Sequence, residues 1–161
     1  MDKKGKVAKF IGLFVLVLIA EYIFLYLLPR GFEMLQRELT AKVLVAVLSI
    51  LGTQAVATGD TIQLGTNTLK IVYECTGGFA FFIFSSAVLA YPASLKKKAL
   101  GQIIGLAGIF LLNLIRLVAI SFVMLNNPSL FDFIHKYLWQ VTFTVIVIFM
   151  FILWVEKWGA E

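Results

Sequence analysis

This chain has one cysteine, one histidine and few charges of either sign, and each scarcity closes off a class of chemistry. A single cysteine, Cys75, excludes an internal disulfide and a paired-cysteine redox centre. One cysteine with one histidine, His135, is too small a ligand set for structural zinc, so neither a metal nor a cofactor is expected. Charged residues make up 14% of the 161 residues and hydrophobic ones 61%, far above the roughly 45–50% apolar content of soluble domains. With a mean hydropathy of +0.96, the expected solvent is a lipid bilayer. The net charge of +5 comes largely from lysines that bracket apolar segments, Lys3, Lys4, Lys6 and Lys9 and then Lys96, Lys97 and Lys98. Such clusters anchor and orient membrane spans, and no nucleic-acid partner is expected. Repeats, low-complexity tracts and flexible linkers are lacking too, so residues 1–161 are expected to form a single membrane-embedded domain.

A helix needs about 20 apolar residues to cross roughly 30 Å of hydrocarbon. Five segments approach or reach that length: Lys9 to Leu28, Leu39 to Ala57, Thr76 to Tyr91, Ala99 to Leu125 and Lys136 to Val155. The first starts like a signal peptide but ends in Leu28-Pro29-Arg30 rather than small-x-small, and it is expected to be retained. Between the second and third segments, Thr61 to Leu64 and Thr68 to Ile71 alternate polar with apolar around Gly65-Thr66-Asn67. That pattern predicts a small β-hairpin within residues 58–74; an ordinary exposed connector is the alternative. The expected fold class is therefore an all-α integral membrane protein with about five transmembrane helices and a small β-hairpin ahead of Cys75.

The lysines at 96–98 argue that the loop after the third segment is cytoplasmic, which puts Cys75 and the loop from Asn126 to Ile134 on the opposite face. Arg116 interrupts the apolar run from Leu106 to Leu125, where a guanidinium costs about 2.5–3.5 kcal/mol on insertion scales, so it should face the bundle interior. Counting about 1.5 Å per residue from Ala99 puts it roughly 25 Å from the cytoplasmic edge, at the depth expected for Cys75 and His135.

Each of the three has an ordinary role open to it. Cys75 can be a small buried hydrophobe, His135 an interfacial polar residue, and Arg116 a structural partner of Glu21 or Glu74. Their common side favours chemistry. A cysteine at a helix N-terminus near an arginine and a histidine has surroundings that favour thiolate. Thr76, Gly77 and Gly78 open that helix, and close backbone approach with unpaired N–H groups there suits an oxyanion; helix–helix contact is the alternative for the glycines. Asn113 lies three residues from Arg116 on one helical face and can aim the guanidinium or bind substrate backbone. Asp132, three before His135, can orient the imidazole if the helix begins there.

The run that starts near Leu51-Gly52 and continues through Gly59-Asp60 and Ile71-Val72-Tyr73-Glu74-Cys75-Thr76-Gly77, then Tyr91-Pro92-Ala93 with the lysine triplet, Asn113-Leu114-Ile115-Arg116, and Phe131-Asp132-Phe133-Ile134-His135 resembles the exosortase/archaeosortase family of membrane cysteine transpeptidases. The match covers the last two-thirds of the chain, which resembles a compact member with fewer N-terminal spans. The resemblance implies that Cys75, Arg116 and His135 are the catalytic residues. It implies, as partners, membrane-anchored proteins with a C-terminal sorting signal, cut on the extracytoplasmic face of the plasma membrane through a Cys75 thioester. A lipid amine is one acceptor it allows. The alternative from another class is a non-catalytic binding or transport subunit that uses Arg116 and Asn113 to hold an anionic ligand.

Overall fold

The computed structural model describes residues 3–27 and 29–159, and these are mostly helical. Among the described residues six α-helices run in order: α1 (Lys3–Leu27), α2 (Arg30–Ile50), α3 (Gly78–Ala90), α4 (Leu95–Asn126), α5 (Pro128–Phe133) and α6 (Trp139–Trp154). Strands β1 (Ala55–Thr58), β2 (Thr61–Leu64) and β3 (Asn67–Lys70) lie between α2 and α3. Among the described residues three helices are long and apolar enough to cross a membrane: Lys4–Leu27, Leu95–Asn126 and Val141–Gly159. α3, with 13 residues, reaches only about 20 Å.

The second expected span, Leu39 to Ala57, is corrected. α2 begins at Arg30, carries Glu33, Arg37, Glu38 and Lys42, and buries a stripe of Ala41, Leu44 and Leu48 at helical spacing. It stops at Ile50 because Gly52, at φ +80, turns the chain, with Gly52 N–H donating to Ser49 O (3.0 Å) and Thr53 N–H to Leu48 O (2.9 Å). This glycine-terminated closure frees Ala55–Thr58 to become a strand. The expected hairpin is present as β2 and β3, paired antiparallel from Thr61↔Lys70 to Leu64↔Asn67. β1 adds a third strand, Ala55↔Leu64 to Thr58↔Thr61, so the element is a three-stranded sheet in the order β1-β2-β3.

The chain divides into two compact units. One comprises Met1–Leu28, Phe79–Ile109 and Thr144–Glu161; the other comprises Pro29–Gly78 and Phe110–Phe143.

In the first unit the helices pack closely because α4 presents glycines. A Cβ on Gly101 would sit 2.6 Å from Trp154 Nε1, and one on Gly105 would overlap the Phe84 ring. Small residues at such contacts let helices associate where water supplies no hydrophobic drive. The one carboxylate in the apolar part of α1, Glu21, accepts from the hydroxyls of Ser85 (2.6 Å) and Ser86 (2.8 Å) on α3. Lys98 donates to Leu89 O (2.6 Å) near the end of α3, answering a carbonyl that the helix leaves open.

The second unit has a conventional apolar core. Ala41, Leu44 and Leu48 of α2 meet Ile62, Leu64 and Leu69 of the sheet, with Ile71, Cys75 and Leu117. Arg37 bonds Glu33 and reaches Asp60 at 3.4 Å, tying α2 to the β1–β2 turn, while Asn67 Nδ2 donates to Met124 O (3.2 Å) near the end of α4.

Candidate active site

Cys75 sits in a single 3-10 turn, Tyr73–Thr76, one residue short of the glycine pair that opens α3. The turn follows from local chemistry. Cys75 N–H donates to Val72 O (2.9 Å), and the Thr76 hydroxyl donates to Tyr73 O (2.7 Å) and accepts from Gly78 N–H (3.3 Å). Gly77 has φ +78, a left-handed conformation costly for any residue with a Cβ, and an added Cβ would also meet the Asn113 side chain at 3.3 Å. Cysteine, turn and glycine are thus one packed device against α4.

From α4, Asn113 Nδ2 donates to Cys75 O at 2.8 Å, so the asparagine holds the backbone of the cysteine itself. Arg116 follows three residues later. Both are buried, Asn113 with 2% and Arg116 with 7% of its surface exposed. The guanidinium lies 5.7 Å over the Phe143 ring of α6, and no ion pair from it to a carboxylate is found among the described residues. Arg116 Nε and Asn113 Oδ1 are buried without hydrogen-bond partners among those residues. A buried polar atom left unmatched is uncommon and costs about 1–3 kcal/mol, so two at one place need a reason.

Cys75 is 2% exposed. Burial pushes its thiol above the ordinary range; a backbone hydrogen bond at Val72 and the nearby positive charge of Arg116 pull it down, and Glu74 adds to the rise. The expectation of a resting thiolate is therefore revised, because desolvation by the apolar core outweighs Arg116. A thiol in this setting needs a base before it can attack.

His135 falls in a π-helical turn, Ile134–Leu138, between α5 and α6. It is half-buried, its ring stacked on Phe131 with centroids 5.3 Å apart and planes 4° from parallel. Phe131 packs against the same apolar cluster that contains Cys75. Asp132 is exposed on α5.

Cys75, Thr76, Gly77, Gly78, Asn113 and Arg116 are thereby gathered at one place, while His135 is connected to that place through Phe131 and no direct bond from it to Cys75 is among those described. Sequence reasoning missed three aromatic supports. Phe131, four residues before His135, was readable as an aromatic pair at helical spacing. Phe143 lies on a different helix from Arg116, and no spacing rule reveals it. Tyr73, whose hydroxyl is buried without a partner among the described residues, would be 2.8 Å from a Cβ on Gly78 and so backs the turn from beneath.

A family model described as transmembrane exosortase (Exosortase_EpsH) matches residues 5–154. No curated protein and no solved structure matches the chain.

Proposed function

The chain belongs to the transmembrane exosortase family of cysteine transpeptidases, a multi-pass membrane protein acting on sorting signals, and from that premise we propose that Cys75 is its nucleophile. The observation that carries the reading is Arg116. It is a buried guanidinium without a carboxylate partner among the described residues, close enough to favour the charged form of Cys75. A structural arginine in an apolar interior is normally paired. Here the sulfur is the group that gains from the charge.

In the proposed reaction, His135 takes the thiol proton and Cys75 Sγ attacks the peptide carbonyl of a C-terminal sorting signal. Arg116 stabilises the oxyanion of the tetrahedral intermediate. The C–N bond breaks, His135 returns the proton to the departing amine, and a Cys75 thioester remains. An amine, a lipid amine among the acceptors, or water then resolves it. Asn113 fixes the Cys75 backbone, Thr76, Gly77 and Gly78 shape the turn, and Asp132 orients His135. We place this site on the extracytoplasmic face of the plasma membrane, with residues 1–161 acting as one domain; the continuous family match over both compact units supports the last point. Five crossings would need α2 and α3 to span as well. Membership in an enzyme family favours this reading over a non-catalytic anion-binding subunit.

The test is trapping. Membranes carrying the unaltered chain, incubated with a tagged membrane-anchored candidate substrate and quenched in acid, should hold a hydroxylamine-sensitive adduct that is absent in Cys75→Ala and slow to form in His135→Ala. An adduct that persists without Cys75, or normal processing by Cys75→Ala, would overturn the assignment.

A further inference from the structure

A narrow crevice in the second unit, too tight in this conformation for a water, is lined by Thr40 and Val43 of α2 and by Phe110, Asn113, Leu114 and Leu117 of α4. Its two polar residues are both committed in one direction. Thr40 donates its hydroxyl proton to Gln36 O (2.8 Å), which leaves its oxygen able only to accept. Asn113 donates Nδ2 to Cys75 O, and because a carbonyl only accepts, that bond fixes the amide orientation and leaves Oδ1 as an acceptor. Oδ1 is buried and unmatched among the described residues. The crevice therefore asks for an N–H donor attached to something apolar. An ammonium is a poor fit, because no carboxylate lines the crevice and Arg116 is one helical turn away. A backbone amide next to an apolar side chain meets every requirement.

We propose that this crevice binds the substrate residue whose carbonyl Cys75 attacks: its backbone N–H donates to Asn113 Oδ1 and its apolar side chain lies against Val43, Phe110, Leu114 and Leu117. The proposal rests on Cys75 being the nucleophile. Asn113 then acts as a positioning and specificity residue. One end of its amide holds the backbone of the nucleophile and the other holds the substrate, so the two reacting partners are registered through a single rigid group. The walls set which side chains are accepted. Both the crevice and the packing over Cys75 must open for this, and α2 lines the first and takes part, through Ala41, Leu44 and Leu48, in the cluster that contains Cys75.

The test uses the full chain in detergent micelles or nanodiscs and acetyl-aminoacyl chloromethyl ketones bearing leucine, valine, alanine or glycine, each with its N-methyl counterpart. Alkylation joins Cys75 Sγ to carbon, releases chloride and sends the thiol proton to solvent; intact mass reports it. Rates are expressed relative to iodoacetamide on the same variant, which cancels a general change in thiol exposure. The N–H leucine probe should react roughly tenfold faster than its N-methyl form, the worth of one buried hydrogen bond. That ratio should collapse towards one in Asn113→Ala. Val43→Phe should reverse the preference from leucine towards alanine and glycine, and this arm holds even if Asn113→Ala does not fold.

Equal rates for N–H and N-methyl probes on the unaltered chain, or an unchanged side-chain preference in Val43→Phe, would overturn the crevice while leaving Cys75 as nucleophile. Slowing of all probes alike by amine-headgroup lipid in the nanodisc, with no N–H discrimination, would assign the crevice to the acceptor amine instead. Labelling by iodoacetamide but by none of the peptide probes would remove both the crevice and the nucleophile assignment.

Discussion

Two polar groups set among apolar helices of this chain are treated in opposite ways. In the first unit Glu21 is answered in full: each carboxylate oxygen accepts from its own serine, Ser85 or Ser86, and Gln102 Nε2 adds a bond of 3.3 Å to Ser85 O. In the second unit Arg116 and Asn113 are buried more deeply and left partly unanswered, with Nε and Oδ1 lacking partners among the described residues. Both networks sit where water is scarce and unmatched groups are expensive. The Glu21 carboxylate, which joins α1 to α3, is satisfied by the protein alone. The open atoms of Arg116 and Asn113 lie beside the one cysteine, where a ligand can answer them.

That contrast makes opposite predictions for the two networks. Cys75→Ala should abolish processing of a membrane-anchored substrate, and Arg116→Gln should lower it by about 10²–10³-fold, the typical worth of one oxyanion donor. The melting temperature in detergent should hold or rise in Arg116→Gln, because an uncompensated buried charge is removed. A large fall in melting temperature with intact processing would reverse the roles assigned to the two networks.

The pH dependence of Cys75 alkylation tests the same contrast on a smaller scale. Burial raises the thiol while Arg116 opposes it, so the iodoacetamide rate should keep climbing, up to about tenfold per pH unit, through and beyond the ordinary thiol range. Arg116→Gln should shift that profile further up. The stability linkage has a fixed sign: between the unfolded and the higher folded value the native thiol keeps a proton that the unfolded chain releases. The contribution of Cys75 to stability is therefore full below the unfolded value and is lost as pH rises through the folded one. A profile levelling near neutrality would mean that Arg116 outweighs burial.

Much of this arrangement was legible in the residues. Long apolar runs marked α1, α4 and α6, and polar-apolar alternation around Gly65-Thr66 marked β2 and β3. The shared face of Asn113 and Arg116 followed from their spacing. What was not legible depended on burial or on distance along the chain. α2 looked like the start of a span only where its charges end, and Gly52 gave no warning that four residues beyond it would pair as β1. The thiol's rise could not be read because electropositive neighbours are visible in a sequence and desolvation by Leu44, Leu48 and Leu117 is not. Loop counting led only to the expectation that His135 shares a side with Cys75; its seat on Phe131 needed the π-helical turn, which no periodicity announces.

Ser86→Ala probes the satisfied side. It removes one of two donors from Glu21, and interhelical hydrogen bonds in membranes are worth about 0.6–1.7 kcal/mol, so the melting temperature should fall by a few degrees. Processing at a temperature where the variant stays folded should not change. Loss of processing without loss of stability would make Glu21 part of the machinery and erase the distinction between the two networks.

The smallest effect is expected at Phe143, and it asks how an unpaired guanidinium is held at all. The ring face 5.7 Å from Arg116 supplies partial negative charge without accepting a hydrogen bond, so it steadies the cation and leaves its N–H groups open for the proposed role toward the oxyanion. A carboxylate in the same place would bind those groups and neutralise the charge that the proposed mechanism uses at Cys75. Phe143→Leu keeps the site apolar at some loss of volume and removes the quadrupole, a loss of about 0.5–1 kcal/mol, so processing should fall two- to fivefold with the pH profile of alkylation moved slightly upward. Phe143→Tyr, which keeps the π face, should restore both. If leucine instead matches the parent on both measurements, Arg116 is positioned by its own helix and by Asn113's neighbourhood alone, and the aromatic support is packing.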